Sequence, residues 1–132
     1  QVDAPIGRHP TQRTKMAVVG SGRESLTYYD IEDRYPGATE LSVTLATGRT
    51  HQIRVHMAHI GHPLLGDPLY GGNRPLPSTV PKELKEIQQS LTRQALHARR
   101  LSLIHPADHD VHEWESPLPA DLAEAQAILE AL

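Results

Sequence analysis

Apolar positions recur along the chain with two different periods. Over residues 41–46, Leu41, Val43 and Leu45 alternate with Ser42, Thr44 and Ala46, the period of a strand with one buried face. β-formers also crowd 25–31 (Leu26, Thr27, Tyr28, Tyr29, Ile31), and 15–19 is short and apolar. Gly20-Ser21-Gly22 and Pro36-Gly37 are turns between these runs, so the pattern predicts an antiparallel meander of three strands. The period then changes. Thr47-Gly48 closes the last strand, Thr50 is placed to cap a helix over 51–60, and Ile53, Met57 and Ile60 supply its apolar stripe. Arg54 falls about 100° round the helix from Ile53.

Beyond this helix, 81–92 reads as a second one, with Pro81 at its start and Leu84, Ile87 and Leu91 on one side. Residues 94–104 and 111–115 form a strand and its returning partner, with a turn over 106–110, and Trp114 needs a covered face. A final helix is expected over 119–132, apolar along Leu122, Ala125, Ile128, Leu129 and Leu132. Residues 1–10, with two prolines and a glycine, carry no helix or strand signature and read as an extended segment. The proline-rich stretch 73–81 reads as an exposed, mobile linker. The expected class is α+β, an antiparallel or mixed sheet with packed helices, all of residues 1–132 forming one domain or a large piece of one.

Composition changes the picture little. With no Phe and one Trp, aliphatic side chains must fill the core; with no Cys, disulfide and thiol chemistry are excluded, which is compatible with a reducing cytoplasm. No apolar run approaches ~18 residues, so no membrane-spanning helix is expected. The net charge of −3 argues against a nucleic-acid binder, but its distribution does not. Residues 1–75 hold eight Arg/Lys against seven Asp/Glu, whereas 106–132 hold seven Asp/Glu and no Arg/Lys. Phosphate binding needs a local basic face, not a basic total.

The candidate chemistry centres on Thr47-Gly48-Arg49-Thr50-His51-Gln52-Ile53-Arg54. A strand, tight turn and helix that deliver Arg54 beside an apolar stripe hold a cation rigidly, which requires an anion nearby. A guanidinium fork suits carboxylate and phosphate alike. Arg49, Thr50, His51 and Gln52 occupy the turn and first helical turn, where a phosphate is welcome. Arg8, His9, Arg13 and Lys15 cluster around Pro10 as a possible phosphate-gripping arm.

Three other chemistries fare worse. His56-x-x-His59-x-x-His62 has ligand-like spacing but no cysteine or carboxylate ligand with it, so no metal is assigned. The glycines of 61–72 lack the Gly-Lys-Ser/Thr of a P-loop; that segment, stiffened by Pro63 and Pro68, reads as a rigid wall near a pocket, with Asp67 bonded to loop backbone. A hydrolase using Asp67 or Asp30 with a histidine has no nucleophile elbow to support it.

The run Gly48-Arg49-Thr50-His51-Gln52-Ile53-Arg54-Val55-His56, followed by Gly61-His62-Pro63-Leu64-Leu65-Gly66-Asp67-Pro68-Leu69-Tyr70-Gly71-Gly72, resembles the RluA/RluD-type RNA pseudouridine synthases. The resemblance extends to Pro5-Ile6-Gly7-Arg8-His9-Pro10 before it and Arg93-Gln94-Ala95-Leu96-His97-Ala98 after it. It implies an isomerase without a cofactor, acting on large-subunit ribosomal RNA and monomeric when intact. Arg54 takes the place of the cation that keeps a catalytic aspartate ionised and aimed. The family's His-Arg-Leu-Asp motif, which carries that aspartate, is absent from these residues. The family's pocket tyrosine lies upstream with it, so Tyr28, Tyr29, Tyr35 and Tyr70 are not substitutes. The resemblance thus implies the C-terminal part of a catalytic domain, inactive alone. Within it Arg54 must be neutralised by a solvent anion or another local carboxylate. A non-enzymatic RNA-binding or ribosome-interaction module is the alternative.

Overall fold

The opening residues, expected to be an extended segment without strand character, form two short strands: β1 (Val2–Asp3) and β2 (Ile6–Arg8). Val2, Ala4 and Ile6 alternate inward and are almost fully buried, the period of two that identifies a strand once a partner is available. In this computed structural model, which describes residues 1–12, 14–91, 93–98, 100–104 and 111–131 (the backbone alone for 100–104 and 111–115), the partners come from different places. β2 pairs antiparallel with β3 (Met16–Val18), and β1 with β4 (Leu26–Tyr35), which forms a hairpin with β5 (Ala38–Leu45).

The three-strand order is therefore β1-β4-β5, and β3 belongs to a separate two-stranded sheet. The expected meander is half right. The cause is a close crossing: a Cβ on Gly22 would stand 2.5 Å from the Ile6 carbonyl carbon, so the chain at Ile6 passes directly over the turn between β3 and β4 and keeps them from pairing.

Helix α1 (Gln52–His59) follows the hairpin. Its N-cap is His51, not Thr50, and no side chain caps it. The side chain of Gln52 organises this end instead: its Oε1 accepts from Thr47 Oγ1 (2.7 Å) and the Arg49 amide (3.0 Å). The buried face also departs from the apolar stripe. Gln52, Val55, His56 and Met57 are buried, Ile53 is half-buried, and Ile60 is 36% exposed. Met57 joins Val2 and Ala4 in the core, with Val18, Tyr29, Leu41, Ile53 and Leu64 packed around them.

Helix α2 (Lys82–Ser90) buries Leu84 and Ile87, as its spacing predicts. The 73–81 segment is tied to it at one end, where Gln88 Nε2 donates to the carbonyls of Gly72 and Arg74. β6 (Arg100–Ile104) and β7 (Val111–Glu115) form the expected hairpin, although the strand begins later than residue 94. Its turn over 106–110 and the surroundings of Trp114 lie outside the described residues. Helix α3 (Ala120–Glu130) packs on α2 and buries Leu122, while Ile128 is exposed; Leu132 lies outside the described residues.

Candidate active site

Arg54 leaves α1 on the side facing the glycine–proline loop, and there it meets Asp67. Its Nε donates to Asp67 Oδ2 at 2.9 Å and its Nη2 to Oδ1 at 2.8 Å, a parallel two-point grip. Asp67 is fully buried, and the Arg54 side chain is 13% exposed. The carboxylate also accepts from the amides of Leu69 (3.0 Å) and Tyr70 (3.3 Å), so the expected bonds to loop backbone are present beside the ion pair. Tyr70 covers the guanidinium, with its ring centroid 5.0 Å from Arg54 Cζ.

Electrostatics follow from this geometry. Burial pushes the Asp67 carboxyl up, but the Arg54 hydrogen bonds, the two loop amides and the guanidinium charge outweigh it and hold the group below its ordinary value. The same hydrogen bonds raise Arg54 further, against its own partial burial.

His51 has a left-handed backbone, φ 55°, and is the one non-glycine residue with positive φ among those described. An imidazole side chain tolerates this region better than a branched one, yet such a conformation persists only where its surroundings impose it. Its ring is held by Tyr70, whose hydroxyl lies 2.8 Å from His51 Nδ1. That hydroxyl also accepts from the Met16 amide (3.0 Å), so Tyr70 ties the His51 ring to β3. Burial, then the Arg54 charge, lower the His51 pKa against the smaller pull of Asp67. The site therefore places an imidazole held toward its neutral form beside a fixed cation.

These signs predict acid sensitivity. The folded pKa of His51 is lowered, so its contribution is full above the ordinary imidazole value of ~6.5 and falls as the unfolded chain protonates below it. That of Asp67 is also lowered, so its contribution is present above ~3.9 and is lost as pH falls through the folded pKa. Thermal melts should show stability declining on acidification through both windows. Asp67→Asn should remove the lower decline; a variant melting parallel to the parent down to about pH 3 would show that Asp67 carries none of it.

Arg49, His51, Gln52, Ile53, Arg54 and Gln94 are among the residues that line a cleft of about 360 Å³, within the size range of small-ligand sites. Arg49, expected to contact phosphate, is oriented by a bond from its Nε to the Glu24 carbonyl (2.9 Å). With Thr50 it also borders a smaller hollow of about 160 Å³, where Arg23, which the sequence reading passed over, joins them.

Not every candidate offers the site a free polar group. Gln52 is 2% exposed, and its Nε2 donates to Leu26 O and Thr27 Oγ1 (both 2.9 Å). Its amide is committed to holding the strand–helix junction, not to RNA phosphate. His9 Nδ1 accepts from the amides of Thr11 and Gln12, anchoring a turn. Lys15 Nζ lies 5.9 Å from the Tyr70 centroid, Arg8 ends β2, and Arg13 lies outside the described residues. The zinc reading fails on His56: both its ring nitrogens are engaged, by Thr27 Oγ1 at 2.7 Å and Ala4 O at 2.9 Å. Tyr70 was missed because nothing in its local sequence announces a partner on α1.

Known proteins resemble this arrangement in sequence and shape. Residues 1–59 match the family model described as RNA pseudouridylate synthase. The chain is 52% identical over 120 residues to ribosomal large subunit pseudouridine synthase D of Pseudomonas aeruginosa, covering 91% of this chain and 38% of that one. It is 47% identical over 130 residues to the protein of that name from Escherichia coli K12, covering 98% and 40%. The solved structure of human RNA pseudouridylate synthase domain containing 1 superposes with a TM-score of 0.66 at 27% identity, over 99% of this chain and 59% of that one. The chain thus spans about 40% of the length of the curated relatives it matches. By sequence and by fold, the chain is similar to a part of the RNA pseudouridine synthases of the RluA/RluD type.

Proposed function

We propose that this chain is part of an enzyme that isomerises uridine to pseudouridine in large-subunit ribosomal RNA, contributing the active-site cation and part of the RNA-binding surface. The observation that carries the reading is Arg54. It is largely buried, gripped along one edge and covered by Tyr70, at the wall of a cleft of about 360 Å³.

The reaction breaks the N1–C1′ bond of a flipped uridine and forms a C5–C1′ bond, the proton on C5 being lost while N1 gains one. No cofactor is consumed, since the product is an isomer of the substrate. An aspartate supplied from outside these residues attacks or assists at the sugar or base, and Arg54 keeps it ionised and aimed. Arg23, Arg49 and Thr50 border one hollow, and together with Arg8 and Lys15 they would supply the contacts to RNA phosphates.

Two incubations with unmodified ribosomal RNA test the proposal, with pseudouridines mapped afterwards. The full-length protein should form them and this chain alone should give only background. Turnover by the chain alone would place the catalytic group within these residues. RNA binding by the full-length protein without turnover would favour the non-enzymatic RNA-binding module.

A further inference from the structure

The pairing of Arg54 with Asp67 raises a question of its own. If Arg54 serves an aspartate that arrives from elsewhere, a second carboxylate already on the same guanidinium lowers the net positive charge on offer. A site built for charge alone would leave the arginine unpaired. A site built for aim would clamp one edge of the fork and leave the other edge open. The clamped edge here is Nε and Nη2. Of the guanidinium's N–H groups, those of Nη1 and the second of Nη2 remain for another acceptor, and Arg54 lines the cleft.

The loop that supplies the clamp has few ways to move. Gly66 N–H donates to Gly72 O (2.9 Å), Asp67 N–H to Leu64 O (3.0 Å), and Ala95 N–H to Leu65 O (2.8 Å). Gly66 has φ +78°, and a Cβ on it would stand 2.5 Å from the Arg93 carbonyl oxygen; one on Gly72 would fall on the Leu64 carbonyl oxygen. Two turns of chain are thus pressed together at the neck of a loop that carries one fully buried carboxylate and, three residues later, the ring that stacks on the same arginine.

We infer that Asp67 is a positioning residue for the isomerisation: acting through Arg54, it fixes the guanidinium so that its free edge meets the reacting carboxylate or substrate anion in one orientation. This rests on the function proposed above. Ordering the long arginine side chain before substrate arrives removes that entropic cost from the chemical step.

The two effects of removing the Asp67 charge oppose each other, which makes the test decisive. Asp67→Asn keeps shape and an oxygen for the loop amides, returns net charge to Arg54 and loosens its aim. In the full-length protein, Asp67→Asn is expected to lower the single-turnover rate at least about 30-fold while RNA affinity changes less than about threefold. In an Arg54→Ala background the same substitution should add less than about a twofold loss, because a residue acting only through Arg54 has nothing left to act on. An unchanged or faster single variant would overturn the inference, as would an equal loss in the Arg54→Ala background, the mark of a merely structural role. Wild-type protein that forms no pseudouridine would instead defeat the proposed function itself. If Asp67→Asn does not fold, ¹⁵N-arginine spectra of the wild type decide: a slowly exchanging Arg54 Nε–H that disappears in Arg54→Lys supports the clamp, and exchange as fast as that of exposed arginines refutes it.

Discussion

Arg54→Ala in the full-length protein is expected to cut the single-turnover rate of pseudouridine formation by at least about a hundredfold, the order found when a preorganised electrostatic contact is removed. RNA affinity should change far less, because phosphate contacts made by other cations would carry most of it. Arg54→Lys separates charge from geometry. Lysine keeps the cation but cannot hold Asp67 and a second acceptor along two edges of a plane, so most of the rate should still be lost. The alanine variant also leaves Asp67 buried with its two amide bonds and no cation, so its melting temperature must be measured alongside. A folded Arg54→Ala protein with near-normal single-turnover rate would remove Arg54 from the chemistry.

Arg54 was legible because its signal is local and dense: a strand period ending at Thr47-Gly48, a helical period starting beyond it, and a run of motif residues between. The same holds for β5, the Pro36-Gly37 turn, α2 and β7, each of which declares itself within its own residues. What could not be read from pattern depends on partners far away in sequence. β1 and β2 are strands only because β4 and β3 lie beside them. A run of two or three residues is too short to show its period against two prolines and a glycine. Tyr70 joins the site through His51 and Met16, the latter 54 positions away. Asp67 was expected on loop amides, and it is there, but its grip on Arg54 depends on how 60–67 turns back along α1. The face of α1 was misread for a different reason. Hydrophobic periodicity assumes that polar residues seek water, and here a glutamine and a histidine are among the most deeply buried side chains.

That inversion leads to the largest expected stability effect. His56 has no exposed surface; Thr27 Oγ1 donates to its Nδ1 and its Nε2 donates to Ala4 O, joining α1 to β4 and to the segment between β1 and β2. Gln52 extends the chain of bonds by donating to the same threonine. His56→Ala would strip Ala4 O of its imidazole donor and Thr27 of its acceptor, at about 1–3 kcal/mol for buried polar groups left unmet. It would also open a cavity where the ring stood, adding roughly 2 kcal/mol. The sum, about 3–5 kcal/mol, is a large part of the 5–15 kcal/mol typical of a whole domain. His56→Gln, which keeps an amide donor near Ala4 O, should recover part of the loss. Ile60→Ala, by contrast, removes a side chain that is 36% exposed and should cost no more than about 1 kcal/mol. Chemical denaturation of the three variants orders them directly. If Ile60→Ala proves more destabilising than His56→Ala, the apolar stripe, and not the buried polar face, is what holds α1 to the sheet.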